Sequence, residues 1–144
     1  MADTLYDTDF GLWIDDTVAK LRAGRYDEVD WENAIEELVA MGKSQRQALR
    51  RRLEVLLEHL LKRCYLANAY DNRGWELTIK EQRKEIWHLL EDSPSLRPYL
   101  QEILPRVWAE ALTDVRDRYP MAALPKHYPF PSDIESLLQE VLWP

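Results

Sequence analysis

The chain has 144 residues, of which 46% are hydrophobic and 31% charged, and its formal net charge is -7. This length and composition predict a single globular domain and exclude disordered, collagen-like and membrane-spanning chains. A lone cysteine, Cys64, excludes an internal disulfide framework and fits a reducing compartment. The start of the chain is polar and acidic, without the pattern of a signal peptide, so we expect a cytoplasmic protein.

Apolar residues recur at helical spacing along most of the chain, and glycines, prolines and capping residues separate the segments. The predicted helices are residues 7–23, 31–41, 44–66, 75–91, 96–119 and 133–141. No segment alternates long enough to indicate a strand. The sequence therefore predicts an all-α fold without a sheet, a bundle of about six helices forming one domain over residues 1–144.

The first two helices each have an apolar face that we expect to be buried. The first face consists of Phe10, Trp13, Ile14, Thr17, Val18 and Leu21, and the second of Trp31, Ala34, Ile35, Leu38 and Met41. Gly24 and Gly42 follow these faces, and glycine is the residue that most easily ends a helix in the left-handed conformation.

The third and fifth helices have the longest apolar patterns. Ser44 and Gln47 have capping-box spacing, which places the start of the third helix at residue 44. Leucines then repeat at spacings of three and four from Leu49 to Leu61. Pro105 lies inside the fifth pattern and removes one backbone hydrogen bond, so we predict a kink there but not an end.

The charges are unevenly distributed. Residues 1–42 contain 3 basic and 11 acidic side chains, whereas residues 43–85 contain 11 basic and 6 acidic ones. The basic side chains either lie on solvated helix faces or form a patch for an acidic partner or a phosphate backbone. The candidate patch consists of Lys43, Arg46, Arg50, Arg51 and Arg52. An acidic chain is atypical of nucleic-acid domains, so nucleic acid is the less favoured partner.

A second group of polar residues is a candidate structural network. It consists of Asn33, Glu37, His59, Gln82 and Arg83. If these side chains converge inside the bundle they are scaffold, and if they line an open cleft they form a site. We also expect a salt bridge from Glu36 or Glu37 to Arg46, Arg50 or Arg83, because buried ion pairs fix how helices register.

Few residues have the spacing of catalytic or metal-binding groups. Glu85 and His88 form one Glu-x-x-His element, but di-iron bundles need two of these and two further glutamates. His59 is a second candidate, which leaves a metal-binding or hydrolytic protein using His59 or His88 as an alternative. The chain has no phosphate-binding glycine loop and no C-x-x-C. We therefore assign no catalytic, cofactor-binding or metal-binding residue and lean against an enzyme.

Three motifs together resemble a known family. They are Asp30-x-x-Asn33-x-x-Glu36-Glu37 with Met41-Gly42-Lys43-Ser44-x-Arg46, Leu56-Leu57-x-His59-Leu60-Leu61-Lys62, and Trp75-x-x-Thr78-Ile79-x-x-Gln82-Arg83-x-Glu85-Ile86. They are similar to the signature of the bacterial "domain of unknown function 29" family, from Tyr6 to Pro144. The resemblance implies a bacterial, soluble, all-helical domain, and it supplies no catalytic residue because the family has no established activity.

The hypothesis that fits these observations best is a small non-catalytic helical module for protein interaction or regulation, with a protein partner or a second copy of itself and without a cofactor or membrane. Six tryptophans are many for this length. Trp87 lies off the main apolar face of its helix and Trp143 is next to the C-terminus, so these two are the candidates for an exposed contact.

Overall fold

A computed structural model describes residues 4–66 and 68–144 of the chain. Its six α-helices are α1 Leu5–Thr8, α2 Phe10–Arg22, α3 Trp31–Tyr65, α4 Asn72–Asp92, α5 Leu96–Arg118 and α6 Ile134–Gln139, with one 3₁₀ turn at Tyr26–Glu28. No strand occurs in these two ranges. The prediction of an all-α fold is therefore confirmed.

The first predicted helix is two helices, because the backbone is extended at Asp9. The Asp9 carboxylate accepts a hydrogen bond from the Leu12 backbone N–H at 3.0 Å and so caps α2. Gly24 has a φ of 74°, a conformation that side chains with a Cβ rarely adopt, and it follows the end of α2 as predicted.

Helix α3 corrects the predicted boundary between the second and third helices. It runs without interruption from Trp31 to Tyr65, through both Gly42 and Ser44. Gly42 does not adopt a positive φ. A glycine inside a helix costs only about 1 kcal/mol relative to alanine, which the surrounding good helix formers offset. The capping residues at Ser44 and Gln47 are therefore ordinary positions in a helix of 35 residues.

The remaining helices lie close to their predicted positions. Helix α5 continues through Pro105, as expected for a proline that removes one hydrogen bond. Helix α6 is shorter than predicted, and its cap is Asp133, whose side chain accepts a hydrogen bond from the Ser136 backbone N–H at 3.1 Å.

The chain forms two compact units, residues 1–44 and residues 45–144. We call them the N-terminal unit and the C-terminal unit. The boundary lies within α3, so its first part belongs to the N-terminal unit and the rest to the C-terminal unit. A single domain over residues 1–144 stays a prediction.

The C-terminal unit has an extensive hydrophobic core. Leu49, Leu53, Leu56, Leu57, Leu60 and Leu61 of α3 are completely buried. They belong to a cluster that includes Ile79 and Ile86 of α4, eight residues of α5 from Leu96 to Val115, Phe130, and Ile134, Leu137 and Leu138 of α6. The rings of Trp108, Tyr128 and Phe130 meet edge to face at one side of this core. This burial is the main source of stability of the unit.

The N-terminal unit buries far less. Trp13 and Val29 are its only buried hydrophobic residues among positions 4–44. The rings of Tyr6, Phe10 and Trp13 pack together, with centroids 4.9–5.8 Å apart. The Tyr6 hydroxyl donates a hydrogen bond to the Glu37 carboxylate, which ties α1 to the first part of α3. The carboxylate acceptor raises the pKa of Tyr6 to about 12.

None of the helices in the described ranges combines the length and the apolar character that crossing a membrane requires.

Candidate functional sites

The first candidate site is the apolar surface of the N-terminal unit, and it contradicts most of the predicted burial of the first two apolar faces, of which Trp13 alone is buried. Its large apolar side chains are 38–67% exposed; they are Phe10, Leu12, Ile14, Val18, Tyr26, Trp31, Ile35, Leu38, Val39 and Met41. The periodicity predicts the helices correctly but not their burial. Two short helices and the first turns of a third have too few neighbours to cover both faces.

The centre of this surface is a row of residues along the first part of α3, which we call the α3 stripe: Trp31, Ile35, Leu38 and Gly42. Spacings of four, three and four residues place them on one side of the helix. The Trp31 indole N–H donates to the Tyr26 carbonyl oxygen at 2.8 Å, which fixes the ring at one end. Nothing lies within 4 Å of the position that a Cβ of Gly42 would take, so the backbone is accessible at the other end.

The extent of this surface is that of a protein interface. An aromatic side chain has roughly 150–250 Å² of surface and an aliphatic one less, so ten such side chains at about half exposure present on the order of 600–1,000 Å². The largest apolar patch on a typical monomer is about 300–600 Å². A stable protein–protein interface buries about 800 Å² on each partner. The apolar surface of the N-terminal unit is therefore large enough for one such interface.

The second candidate site is a cleft in the C-terminal unit, which we call the α4 cleft. Its volume is about 640 Å³, within the range of small-molecule sites. One side of α4 forms most of its wall, and α6 and the C-terminal tail complete it. The lining residues are Arg73, Glu76, Leu77, Ile79, Lys80, Arg83, Lys84 and Trp87 of α4, with Leu138, Gln139 and Trp143.

Side chains of α3 and α4 hold the C-terminal tail in place beside the cleft. Arg83 donates a hydrogen bond to the Glu140 carbonyl oxygen at 2.7 Å. The Cys64 thiol donates to the Leu142 carbonyl oxygen at 3.4 Å, and Arg63 donates to that of Pro144 at 3.4 Å. Both guanidinium groups also lie 5.8 Å from the ring centroid of Trp143. The tail is thus anchored along its length, and Trp143 is a fixed part of the wall.

The cleft is strongly cationic. Arg73, Lys80 and Lys84 form no salt bridge with any carboxylate of the described ranges. The one acidic lining residue, Glu76, is paired with Arg63 at 3.3 Å. The Arg83 Nε is buried and has no hydrogen-bond partner. Burial lowers the pKa of the Arg83 guanidinium, because it disfavours the charged form.

The residues of the predicted polar network have different partners. In the N-terminal unit, Asn33 donates to Asp30 at 2.7 Å and Glu37 accepts from Tyr6. In the C-terminal unit, His59 bonds to the Val55 carbonyl oxygen of its own helix at 2.8 Å, and Gln82 accepts from Arg52 at 3.3 Å. Only Arg83 lines the α4 cleft. The role of these five residues as a shared scaffold stays a prediction.

The residues of the predicted basic patch are divided between paired and exposed side chains. Arg50 forms a salt bridge with Glu110 at 2.6 Å, and Arg52 contacts Glu85 at 3.9 Å. Lys43, Arg46 and Arg51 are exposed. The expected salt bridge from Glu36 or Glu37 to an arginine is wrong for the described ranges, since Arg50 pairs with α5 and Glu37 with a tyrosine. A partner for the basic patch stays a prediction.

The histidines of the metal hypothesis are not brought together with other ligands. Within the described ranges, the one group of three metal-ligating side chains close enough to share an ion is Glu54, Glu58 and Asp114, with ligand atoms within 4.8 Å. Burial and the neighbouring carboxyls raise the pKa of Glu58 to about 7. Burial lowers the pKa of His59, while His88 is exposed. The ionised carboxylates of this cluster repel one another, and binding a proton relieves the repulsion. The three side chains can therefore lie close together without an ion.

The α4 cleft was only partly visible in the sequence. Trp87 and Trp143 stood out as candidates for exposed contacts, but Arg73, Leu138 and Gln139 did not. A helical projection of α4 would have shown that residues 73, 77, 80, 84 and 87 share one side. No sequence signal brings that side together with Trp143, which lies more than fifty residues away.

Comparison with known proteins places the chain in one family. The family model described as "Domain of unknown function DUF29" matches residues 5–143. No curated protein and no solved structure matches the chain.

Proposed function

We propose that this chain, which belongs to the DUF29 family of domains of unknown function, is a helical interaction module that associates with a second copy of itself through the apolar surface of its N-terminal unit. The observation that carries the proposal is the exposed α3 stripe. Leu38, at its centre, is 67% exposed although its spacing is that of a buried residue.

The area of the apolar surface and the symmetry of a dimer indicate that the partner is a second copy of the chain. A two-fold axis lets the same patch cover itself, so each copy supplies the roughly 800 Å² that a stable interface needs. The stripe has the i, i+4, i+7 spacing by which helices pack against each other. Gly42 at its end allows another helix backbone to approach closely, because it presents no side chain there.

The charge of the unit determines how the association should respond to salt. Residues 1–42 carry 11 acidic and 3 basic side chains. Two copies therefore repel each other at low ionic strength, and added salt should strengthen their association. A basic partner protein would show the opposite dependence, since salt screens attraction in the same way.

Sedimentation velocity over a wide range of protein concentration tests the proposal. We expect a reversible monomer–dimer equilibrium that shifts toward dimer with added salt. Leu38→Glu should weaken dimerisation by more than about tenfold, because each dimer would bury two new carboxylates. Met121→Glu is the matched control, since Met121 is 96% exposed in the C-terminal unit and its change should leave the equilibrium unaltered.

Two results would overturn the proposal. One is a wild-type protein that stays monomeric at all concentrations and salts. The other is a dimer that Leu38→Glu leaves intact. If Leu38→Glu instead abolishes the helical circular dichroism signal, Leu38 is buried within the monomer, which contradicts the exposed stripe on which the proposal depends.

A further inference from the structure

We propose that the α4 cleft binds a small phosphate monoester whose organic part contains a planar aromatic ring. The proposal is independent of self-association, because it uses different residues in the other unit. The observation behind it is that cations without a carboxylate partner and aromatic side chains line the same open cleft.

The basic side chains of the cleft indicate a negatively charged ligand. Four basic side chains line the cleft, and its one carboxylate is neutralised by Arg63. A phosphate monoester carries a charge of about −1.5 to −2 near neutral pH and offers three acceptor oxygens. Lysine binds phosphate as a point charge and arginine through its fork of N–H groups. A doubly charged group therefore fits this set of cations better than a single carboxylate does.

The spacing on α4 brings the cations to one part of the wall. Lys80 and Lys84 are one turn apart, and Arg83 lies beside them on the same helix. The buried Arg83 Nε has no hydrogen-bond partner, so the protein itself leaves one donor of this guanidinium unsatisfied. An anion in the cleft would lie beside Lys80 and Lys84, which form no salt bridge with a carboxylate of the described ranges.

The aromatic and aliphatic residues determine the organic part. Trp87 and Trp143 contribute ring surface, and Leu77, Ile79 and Leu138 contribute apolar floor. Trp87 is held in place by its indole N–H, which donates to Glu91 at 2.5 Å, and by the Arg97 guanidinium 5.7 Å from its ring centroid. Rigid indole rings favour planar ligands that stack on them. The volume of about 640 Å³ leaves room for one or two rings besides the phosphate.

The indole N–H signals of the six tryptophans in a ¹H–¹⁵N NMR spectrum provide a direct test. Trp87→Phe and Trp143→Phe assign the two cleft signals. We expect adenosine monophosphate or phenyl phosphate to move both of these signals and to leave those of Trp13 and Trp31 unchanged. The tighter of the two probes distinguishes a nucleotide from a simple aryl phosphate as the class of ligand.

Two further probes separate the parts of the ligand. Adenosine lacks the charge and inorganic phosphate lacks the ring, so each should bind at least about tenfold more weakly than the intact monoester. Lys84→Ala should weaken binding of the monoester by about tenfold. Lys43→Ala removes an exposed lysine from the N-terminal unit and should have no effect.

The proposal is wrong if neither monoester moves the Trp87 and Trp143 signals. It is also wrong if adenosine binds as tightly as adenosine monophosphate, because the cations would then contribute nothing. Equal weakening by Lys84→Ala and Lys43→Ala would indicate attraction by overall charge and no defined site. Each of these outcomes is separate from the sedimentation result, so either proposal can be contradicted without affecting the other.

Discussion

The two parts of helix α3 have the same kind of sequence and opposite environments. Apolar residues recur at spacings of three and four from Trp31 to Met41 and again from Leu49 to Leu61. Leu56 and Leu60 in the C-terminal unit are completely buried, whereas Ile35 and Leu38 in the N-terminal unit are 56% and 67% exposed. A helical apolar pattern therefore shows that a face is suited to burial, but other helices have to be present to bury it.

Truncating one leucine in each part tests this difference directly. Leu56→Ala should destabilise the monomer by about 2–5 kcal/mol, because it leaves a cavity in a closed core. Leu38→Ala should change the stability of the monomer by less than about 0.5 kcal/mol. Urea unfolding of dilute protein measures both. Equal losses would mean that Leu38 is buried in the monomer and that the two parts do not differ.

The glycines give a second, smaller contrast within the N-terminal unit. Gly24→Ala should cost about 1–2 kcal/mol, because its φ of 74° is unfavourable for a residue with a Cβ. Gly42→Ala should stabilise the monomer by up to about 1 kcal/mol, since alanine is the better helix former and nothing would clash with its Cβ.

The same Gly42→Ala change should weaken dimerisation if a second helix packs closely on the α3 stripe. Thermal unfolding measures the first effect and sedimentation the second. A destabilised Gly42→Ala monomer would show that the helix is not continuous at this point. A stabilised monomer with unaltered dimerisation would place Gly42 outside the interface.

Glu58 lies in the C-terminal unit, and its titration should make the stability of that unit depend on pH. Its pKa in the folded protein is about 7, against an ordinary value of 4.5, so the folded chain binds this proton more tightly than the unfolded chain does. The stabilisation that this tighter proton binding gives the folded chain is complete below pH 4.5 and is lost as the pH rises to about 7.

The midpoint of urea unfolding, measured as a function of pH, tests this pH dependence. Glu58→Gln should flatten the decline between pH 4.5 and 7 and leave the variant more stable than the wild type above pH 7. Glu36→Gln, an exposed glutamate of the N-terminal unit, is the control and should leave the decline unchanged. A wild-type protein whose stability rises over this range would contradict the raised pKa.

The sequence predicted the helices better than it predicted their boundaries. The passage of α5 through Pro105 agrees with the prediction, and α6 begins one residue after its predicted start, because proline geometry and capping are local properties. The break at Gly42 was wrong because a glycine ends a helix only when the chain turns there. In α3 the chain continues, and neither a proline nor a left-handed residue opposes it.

The candidate sites were less predictable than the helices. Trp143 and Arg83 both stand out in the sequence, but their proximity depends on three hydrogen bonds that hold the C-terminal tail against α3 and α4. The exposed α3 stripe was expected to be core, because periodicity does not report how many neighbours a helix has. Interactions of this kind join residues far apart in the chain, where local patterns give no information.

An all-helical chain, the positions of most helices and the separation of acidic and basic segments can be read from the sequence, since these follow from the spacing and chemistry of nearby residues. The folded structure adds that one end of α3 is core and the other is exposed, and that α4 and the C-terminal tail line a cationic cleft. Burial and convergence depend on which surfaces meet in space, and the chain order alone does not fix that.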